Sequence, residues 1–550
     1  MSDQFNLAVV NEALAATIPD DELIVWRDRR LTYAQVAERS RRLSSYLHHQ
    51  GLGARTERRD LAAHESGQDH VALYLYNGNE YLESMLGCFK SRMVPINVNY
   101  RYVDAELGYL LQNSQSKAVI FHAAFAPRIA AIRSELPALT VLIQVEDGSG
   151  HELLPGAVDY EHVLATSSPD LLELDYSADD LYALYTGGTT GMPKGVLWRQ
   201  HDIFMSSMGG QIPGVWDPVS TYDDVRTRAG EGGNDSYLLN LPLMHGGGQW
   251  SVFSLMSRGA RIVLPDENTR FDPASVLRAI EREKCLSVSV VGDAMARPLL
   301  AEIATGRYDL GSLVAVANGA APLTAALKER ILDLLPHVVV NDAVGSSETG
   351  AQASHFSVKG AVSTGRFQPG PGATVLDEKH TCELAAGHEE LGWFAQKGWV
   401  PLGYLDDEPK TKATFPHIDG VRFAVPGDRA RRLADGTIEL LGRDSMVINT
   451  GGEKVFAEEV EGAIGSHLAV QDVIVCGQPS ERWGSEVVAV VELACPATVD
   501  ELTGHAARTL ARYKLPKAWV FVDKVLRSPS GKADYRWARE LVEKARTELS

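Results

Sequence analysis

From Val71 onward the chain alternates short apolar runs with amphipathic ones, and this rhythm restricts its fold more than any other feature. Val71 to Tyr76 predicts a strand, Glu80 to Lys90 a helix and Met93 to Val98 a strand. Asp104 to Leu111 predicts a helix, Ala118 to Phe121 a strand and Phe125 to Ser134 a helix. Strands alternating with helices imply parallel β structure with helices on its faces. The rhythm returns after Tyr237, with strands at Ala260 to Leu264, Ser287 to Val291 and Leu313 to Ala317. Helical spacing follows each of them, at Pro273 to Lys284, after Ala294 and from Thr324 to Leu335. Earlier, Asn11 to Gly51 reads as two helical pieces around a strand pair, Leu23 to Trp26 and Arg30 to Thr32. Glu146 to Asp175 and Ser220 to Ser236, rich in Gly, Pro, Ser and Asp, read as surface connections.

With 550 residues the chain exceeds one core, and about three or four domains or subdomains are expected. A boundary falls near Gly442, after the hairpin-like Asp435 to Leu441. Beyond it a compact α+β pattern of about 100 residues has the size of a domain. The expected class is α/β: a large N-terminal body of parallel and mixed sheets flanked by helices (residues 1–444), then a small mobile α+β C-terminal domain (445–550).

Tyr185 to Gly195, Tyr-Thr-Gly-Gly-Thr-Thr-Gly-Met-Pro-Lys-Gly, lies between two apolar strands, Asp180 to Leu184 and Val196 to Trp198. Gly187, Gly188 and Gly191 let the backbone approach a ligand and aim N–H groups at it. Thr186, Thr189 and Thr190 add hydroxyls and Lys194 adds charge. This is the chemistry of a loop that wraps an anion, most simply the phosphates of a nucleotide. A Walker A loop is excluded, because Pro193 stands where its glycine precedes the lysine and Gly195 where Ser or Thr follows.

A formal charge of −19 argues against general nucleic-acid or anionic-membrane binding, so a site for ATP must be a local positive pocket. Cys88, Cys285, Cys382, Cys476 and Cys495 are widely separated, which fits a reduced cytoplasmic protein without disulfides or zinc. No signal peptide and no transmembrane run of about 20 apolar residues is visible. Peripheral membrane contact and homo-oligomer formation stay open.

The glycine–threonine stretch resembles the phosphate-binding signature of the adenylate-forming superfamily: acyl-CoA synthetases, amino-acid adenylation domains and firefly-type luciferases. Further motifs follow in that family's order. Asp342, Ala343, Val344, Gly345 and Ser346 lead into Ser347-Glu348-Thr349, similar to aromatic-Gly-x-Thr-Glu, with Val344 where an aromatic usually stacks on adenine. A hydroxyl beside a carboxylate at a strand end suits phosphate binding by Ser347 and Mg²⁺ ligation by Glu348. Gly319 with Ala320, Ala321 and Pro322 resembles the segment bordering adenine. Asp428 and Arg443 match the residues that hold the ribose, a carboxylate being a good acceptor for two hydroxyls. After Arg443 the resemblance implies a hinge at Ser445, a Gly451-Gly452 turn lining a thiol tunnel, and Lys454 meeting phosphate after rotation. Ser528 to Lys532 resembles the closing motif, whose lysine, Lys532, bridges the substrate carboxylate and the α-phosphate.

Leu241 to Gly248 is similar to the family segment that floors the acyl pocket. Met244 and His245 occupy the region where amino-acid adenylation domains carry an acid, which argues for an acid without an amino group. Gly246, Gly247 and Gly248 either widen that pocket or permit tight strand-to-helix packing. Asp293, within Val291 to Pro298, is expected to line the same pocket. That segment, Lys514 to Lys517 and Ser528 to Trp537 resemble actinobacterial synthetases of the fatty-acid and steroid-side-chain group. The resemblance implies an ATP-dependent acyl-CoA synthetase using Mg²⁺ and coenzyme A on a large apolar acid, through an acyl-AMP. Two alternatives remain at this point: an acyl-AMP ligase loading a carrier protein, and a non-catalytic nucleotide-binding protein on the same fold.

Overall fold

The computed structural model describes residues 3–186, 192–212, 214–443, 446–450, 453–480, 484–527 and 533–548, with Asn449, Glu453, Lys454, Gly484, Thr547 and Glu548 described in their backbone only. One five-stranded sheet runs in the order Val94–Asn97, His70–Tyr74, Ala118–His122, Val141–Val145, Val158–Asp159, every pair parallel. His70–Tyr74, Val94–Asn97, Ala118–His122 and Val141–Val145 are buried throughout, as expected where helices cover both faces.

A second, longer sheet starts with Arg29–Thr32 antiparallel to Glu22–Trp26 and continues as a parallel ribbon: Glu22–Trp26, Arg261–Leu264, Ser236–Leu238, Ser287–Val290, Ala315–Asn318, Val339–Ser346. It turns antiparallel where Val339–Ser346 folds back onto Gly350–Ser357. Asp428–Arg432 and Ile438–Arg443 lie further along this antiparallel part. A three-stranded sheet, Gly403–Tyr404, Lys194–Arg199, Leu181–Thr186, sits apart from both.

The last sheet is built from strands from Val447 onward, and among the described residues its buried apolar core runs from Met446 to Val542. The helix Ala457–Gly465 covers it with Val460 and Ile464. The parallel-plus-mixed body and small α+β unit thus follow the expected class.

Two stretches expected as connections carry helices. Within Ser220 to Ser236, Tyr222–Gly230 is a helix because Thr221 and Asp224 form a reciprocal cap while Val225 and Ala229 are buried. Within Glu146 to Asp175, Tyr160–Thr166 buries Tyr160, Val163 and Leu164, and Tyr160 Oη donates to Glu83 at 2.8 Å. In both, a few apolar residues at helical spacing are diluted by polar neighbours. The helix Tyr535–Glu548 at the end of the chain was not anticipated.

Candidate active site

The strands on either side of the glycine–threonine stretch pair antiparallel, with Thr186 opposite Lys194. Gly187, Gly188, Thr189, Thr190 and Gly191 lie outside the described residues. The strands beneath them are fixed from several sides. Leu181 to Tyr185 are buried, and a Cβ on Gly195 would stand 2.6 Å from the Tyr185 ring. Asn97 accepts from Tyr185 N–H at 2.7 Å and donates to the carbonyls of Tyr185 (2.8 Å) and Met244 (2.7 Å). This single side chain ties the hairpin to the acyl segment. Lys194 Nζ lies 2.6 Å from Asp407 Oδ2.

The strand Val339–Ser346 returns through a tight turn at Ser347-Glu348-Thr349. Ser346 N–H donates to Thr349 Oγ1 at 3.0 Å and Thr349 N–H to the Ser346 carbonyl at 3.1 Å. Gly345 is required there, because a Cβ would stand 2.2 Å from the Gly350 carbonyl oxygen. Trp198 Nε1 donates to the Ser347 carbonyl at 2.9 Å, so the turn is anchored to the strand that carries Lys194. Tyr404 Oη donates to Glu348 Oε1 at 2.7 Å. Burial and then Glu348 push the Tyr404 hydroxyl far above its ordinary pKa, so it remains a proton donor.

Asp428 and Arg443 are cross-strand partners, with Nε and Oδ1 3.4 Å apart. Burial works against the Arg443 charge, but Asp428, Glu348 and Glu458 outweigh it and hold the guanidinium pKa above its ordinary value. The same field couples Arg443 to Tyr404 and Lys410, and Lys410 to Lys194, Glu348 and Asp407. Residues far apart in sequence therefore form one electrostatic group.

Around this group, Ala320 adopts φ 65°, a left-handed conformation unusual for a residue with a Cβ, and Ala321 N–H donates to Gly319 O at 2.8 Å. Asn318 accepts from Gly292 N–H at 2.7 Å and donates to Ala321 O at 3.0 Å and Asp342 Oδ1 at 2.8 Å. Asp342 is buried and also paired with Lys328, so its carboxylate supports the turn from behind. Ala343 is exposed, whereas Val344 packs against the small core around Ala353 and Val375. Pro322 O accepts from Asp293 N–H at 3.3 Å.

The three glycines of the acyl segment begin the helix Gly246–Met256, with His245 at its N-cap. A Cβ on Gly248 would stand 2.4 Å from the Pro242 carbonyl oxygen and one on Gly246 2.6 Å from Leu184 Cδ2, so both are packing glycines. A Cβ on Gly247 would meet Leu241 Cδ1 at 3.9 Å, an ordinary contact distance. Asp293 is differently engaged: it accepts from Thr324 N–H at 2.9 Å and Thr324 Oγ1 at 3.1 Å, and meets Arg297 at 3.4 Å. Arg297 also donates to the Gly465 carbonyl at 3.3 Å, so this cluster stands where the body meets the C-terminal unit.

Thr450 pairs with Glu453, and Lys454 lies on the strand Glu453–Phe456. Gly451, Gly452, Ser445 and Lys532 lie outside the described residues. Arg527 and Ala533 form an antiparallel bridge, and Arg527 is held by Asp472 at 2.5 and 2.6 Å. Asn97, Asn318, Tyr404, Asp407 and Lys410 were missed by sequence reasoning, since each is an ordinary polar residue until the fold brings its partners.

No group of three or more metal-ligating His, Cys, Asp or Glu occurs among the described residues. A single hard carboxylate, Glu348, already oriented by Tyr404, suits Mg²⁺, which keeps waters and takes substrate phosphate oxygens beside one or two carboxylates.

The chain is similar to known proteins over nearly its whole length. The family model for AMP-binding enzymes matches residues 11–398, and that for the AMP-binding enzyme C-terminal domain matches residues 459–532. The chain is 59% identical over 538 residues to the medium-chain acyl-CoA ligase Mig of Mycobacterium avium, covering 98% of each chain. It is 40% identical to the 3-oxocholest-4-en-26-oate–CoA ligase of Rhodococcus rhodochrous, covering 97% of this chain and 95% of that one. Its fold matches the crystal structure of the anthranilate CoA ligase AuaEII with anthranoyl-AMP at a TM-score of 0.83 and 22% identity, covering 99% and 98% of the two chains. The chain belongs to the AMP-binding enzyme family and, within it, to the acyl-CoA ligases.

Proposed function

We propose that this ligase activates a large apolar carboxylic acid, of fatty or steroid-side-chain type, in two half-reactions. In the first, a carboxylate oxygen attacks the α-phosphorus of ATP; the bond to the bridging oxygen breaks, pyrophosphate leaves and acyl-AMP forms. The loop 187–191, Lys194 and Ser347 would bind the phosphates, and Asp428 and Arg443 the ribose. Lys532 would neutralise charge building at the α-phosphorus. Glu348 would hold Mg²⁺, which when bound neutralises phosphate charge. In the second, the coenzyme A thiol loses its proton, attacks the acyl carbon and expels AMP. The C-terminal domain, residues 445–550 turning about Ser445, would withdraw Lys532 and bring Gly451, Gly452 and Lys454 to the site. Positioning and charge suffice, and no protein nucleophile is needed.

The observation that carries this reading is the joining of Lys194, Glu348, Asp428 and Arg443, from three separate hairpins, into one electrostatic group. The room for a Cβ at Gly247 and the names of the M. avium and R. rhodochrous relatives support the acyl class. No helix among the described residues is long and apolar enough to cross a membrane. All five cysteines are free, Cys382 and Cys495 exposed, which supports a reducing compartment such as the cytoplasm.

The test separates the half-reactions. Lys532→Ala should abolish acid-dependent pyrophosphate release while leaving thioester formation from supplied acyl-AMP largely intact. Equal loss of both would remove Lys532 from its role. A panel of fatty, aromatic and steroidal acids with coenzyme A as the sole acceptor identifies the substrate; product only with a carrier protein would replace the acceptor.

A further inference from the structure

Lys194 is not a spare charge: its ammonium is 2.6 Å from Asp407 Oδ2, and that hydrogen bond is the main cause holding the Asp407 carboxyl below its usual range. The pair is nearly neutral, whereas a nucleotide triphosphate brings several negative charges. A second ammonium stands beside it. Lys410, one turn further along the helix Glu408–Thr414, makes no ion pair with a carboxylate among the described residues. Its Nζ lies 4.6 Å from the centroid of the Tyr404 ring, whose hydroxyl holds Glu348. Lys194 and Arg443 both repel it, Glu348 and Asp407 attract it, and burial also disfavours its charge. A cation held on an aromatic face among other cations gains from an anion arriving between them.

We propose that Lys410 is a second phosphate-binding residue, contacting the nucleotide's phosphates together with Lys194, with the Tyr404 ring as its platform. The simpler alternative, a solvated helix lysine, leaves its place on the Tyr404 ring, in the field of Lys194 and Glu348, without consequence. The proposal rests on the ligase reading above. It is also specific to this side chain, because Lys410 reaches the site from a helix outside the glycine–threonine loop.

Calorimetric titration of ATP into the full-length protein, without acid, tests it with wild type, Lys410→Gln and Lys410→Arg. Loss of one charge-assisted contact in a partly exposed site should weaken ATP binding about tenfold in Lys410→Gln. Lys410→Arg should recover most of that loss, and the salt dependence of binding should be shallower in Lys410→Gln than in wild type. In turnover, KM for ATP should rise by the same factor, with KM for the acid and kcat at saturating ATP within about twofold, a split that general misfolding would not produce. ATP affinity unchanged in Lys410→Gln, or lost equally in Lys410→Arg, overturns the role of Lys410 alone. Failure of the wild type to bind ATP overturns the ligase reading itself.

Discussion

Alanine substitution at each of Gly246, Gly247 and Gly248 should give three different results, although the residues are adjacent in one helix. At Gly248 the new Cβ would stand 2.4 Å from the Pro242 carbonyl oxygen and 2.8 Å from its carbon, backbone atoms that cannot step aside. At Gly246 the clash is with Leu184 Cδ2 at 2.6 Å and Trp250 Cζ2 at 3.1 Å, both movable side chains. At Gly247 the only neighbour, Leu241 Cδ1 at 3.9 Å, is in ordinary contact distance. Overpacking a core costs roughly 1–3 kcal/mol, and replacing helical glycine by alanine returns up to about 1 kcal/mol. Gly248→Ala should therefore lose about 2 kcal/mol and Gly246→Ala about 1 kcal/mol, while Gly247→Ala stays level or gains slightly. Urea denaturation followed by circular dichroism reads all three in parallel. Gly247→Leu should keep wild-type stability yet lower kcat/KM for long or bulky acids about tenfold relative to short ones. Wild-type stability in Gly248→Ala, or equal damage at Gly247 and Gly248, would refute the division into packing and pocket glycines.

Two other perturbations follow from buried polar groups. Asn97→Ala removes three hydrogen bonds to the backbone of Tyr185 and Met244, and Asn97 is only 4% exposed; a loss of about 3 kcal/mol and a lower kcat/KM are expected in the same denaturation and turnover assays. A loss below about 0.5 kcal/mol would show that this clamp is dispensable. Burial raises the Glu461 carboxyl from 4.5 to about 8 against the hydrogen bond from Val475 N–H. The folded chain thus keeps a proton that the unfolded chain releases, so this contribution to stability is full below about pH 4.5 and is lost as pH rises towards about 8. Glu461→Gln should flatten that part of the stability–pH profile, and an unchanged slope would count against a neutral Glu461.

Much of the fold was legible because period and composition report local environment. The parallel strands between Val71 and Phe121 read as short apolar runs since both of their faces are buried, which needs no knowledge of partners. The helices Tyr222–Gly230 and Tyr160–Thr166 were not legible, since their apolar stripe is only two or three residues wide. Of the candidate site, the residues with unusual local chemistry stood out: the glycine–threonine loop, Ser347-Glu348, and Gly-Asp followed by Gly-Arg. Asp293, expected at the acyl pocket, is held by Arg297 one turn along its own helix and by Thr324, and only the Thr324 contact joins segments that share no sequence pattern.

The sequence by itself determined the strands and helices whose apolar pattern is wide enough to read, and which short stretches have the glycines, hydroxyls and charges to meet a phosphate. The tertiary structure decided which side chains answer one another: Asp428 opposite Arg443, Tyr404 on Glu348, Lys194 on Asp407 with Lys410 alongside. The reason is range. Propensity and turn chemistry act over a few neighbouring residues, whereas a hydrogen bond or ion pair depends on distances of a few ångströms that only the folded chain sets.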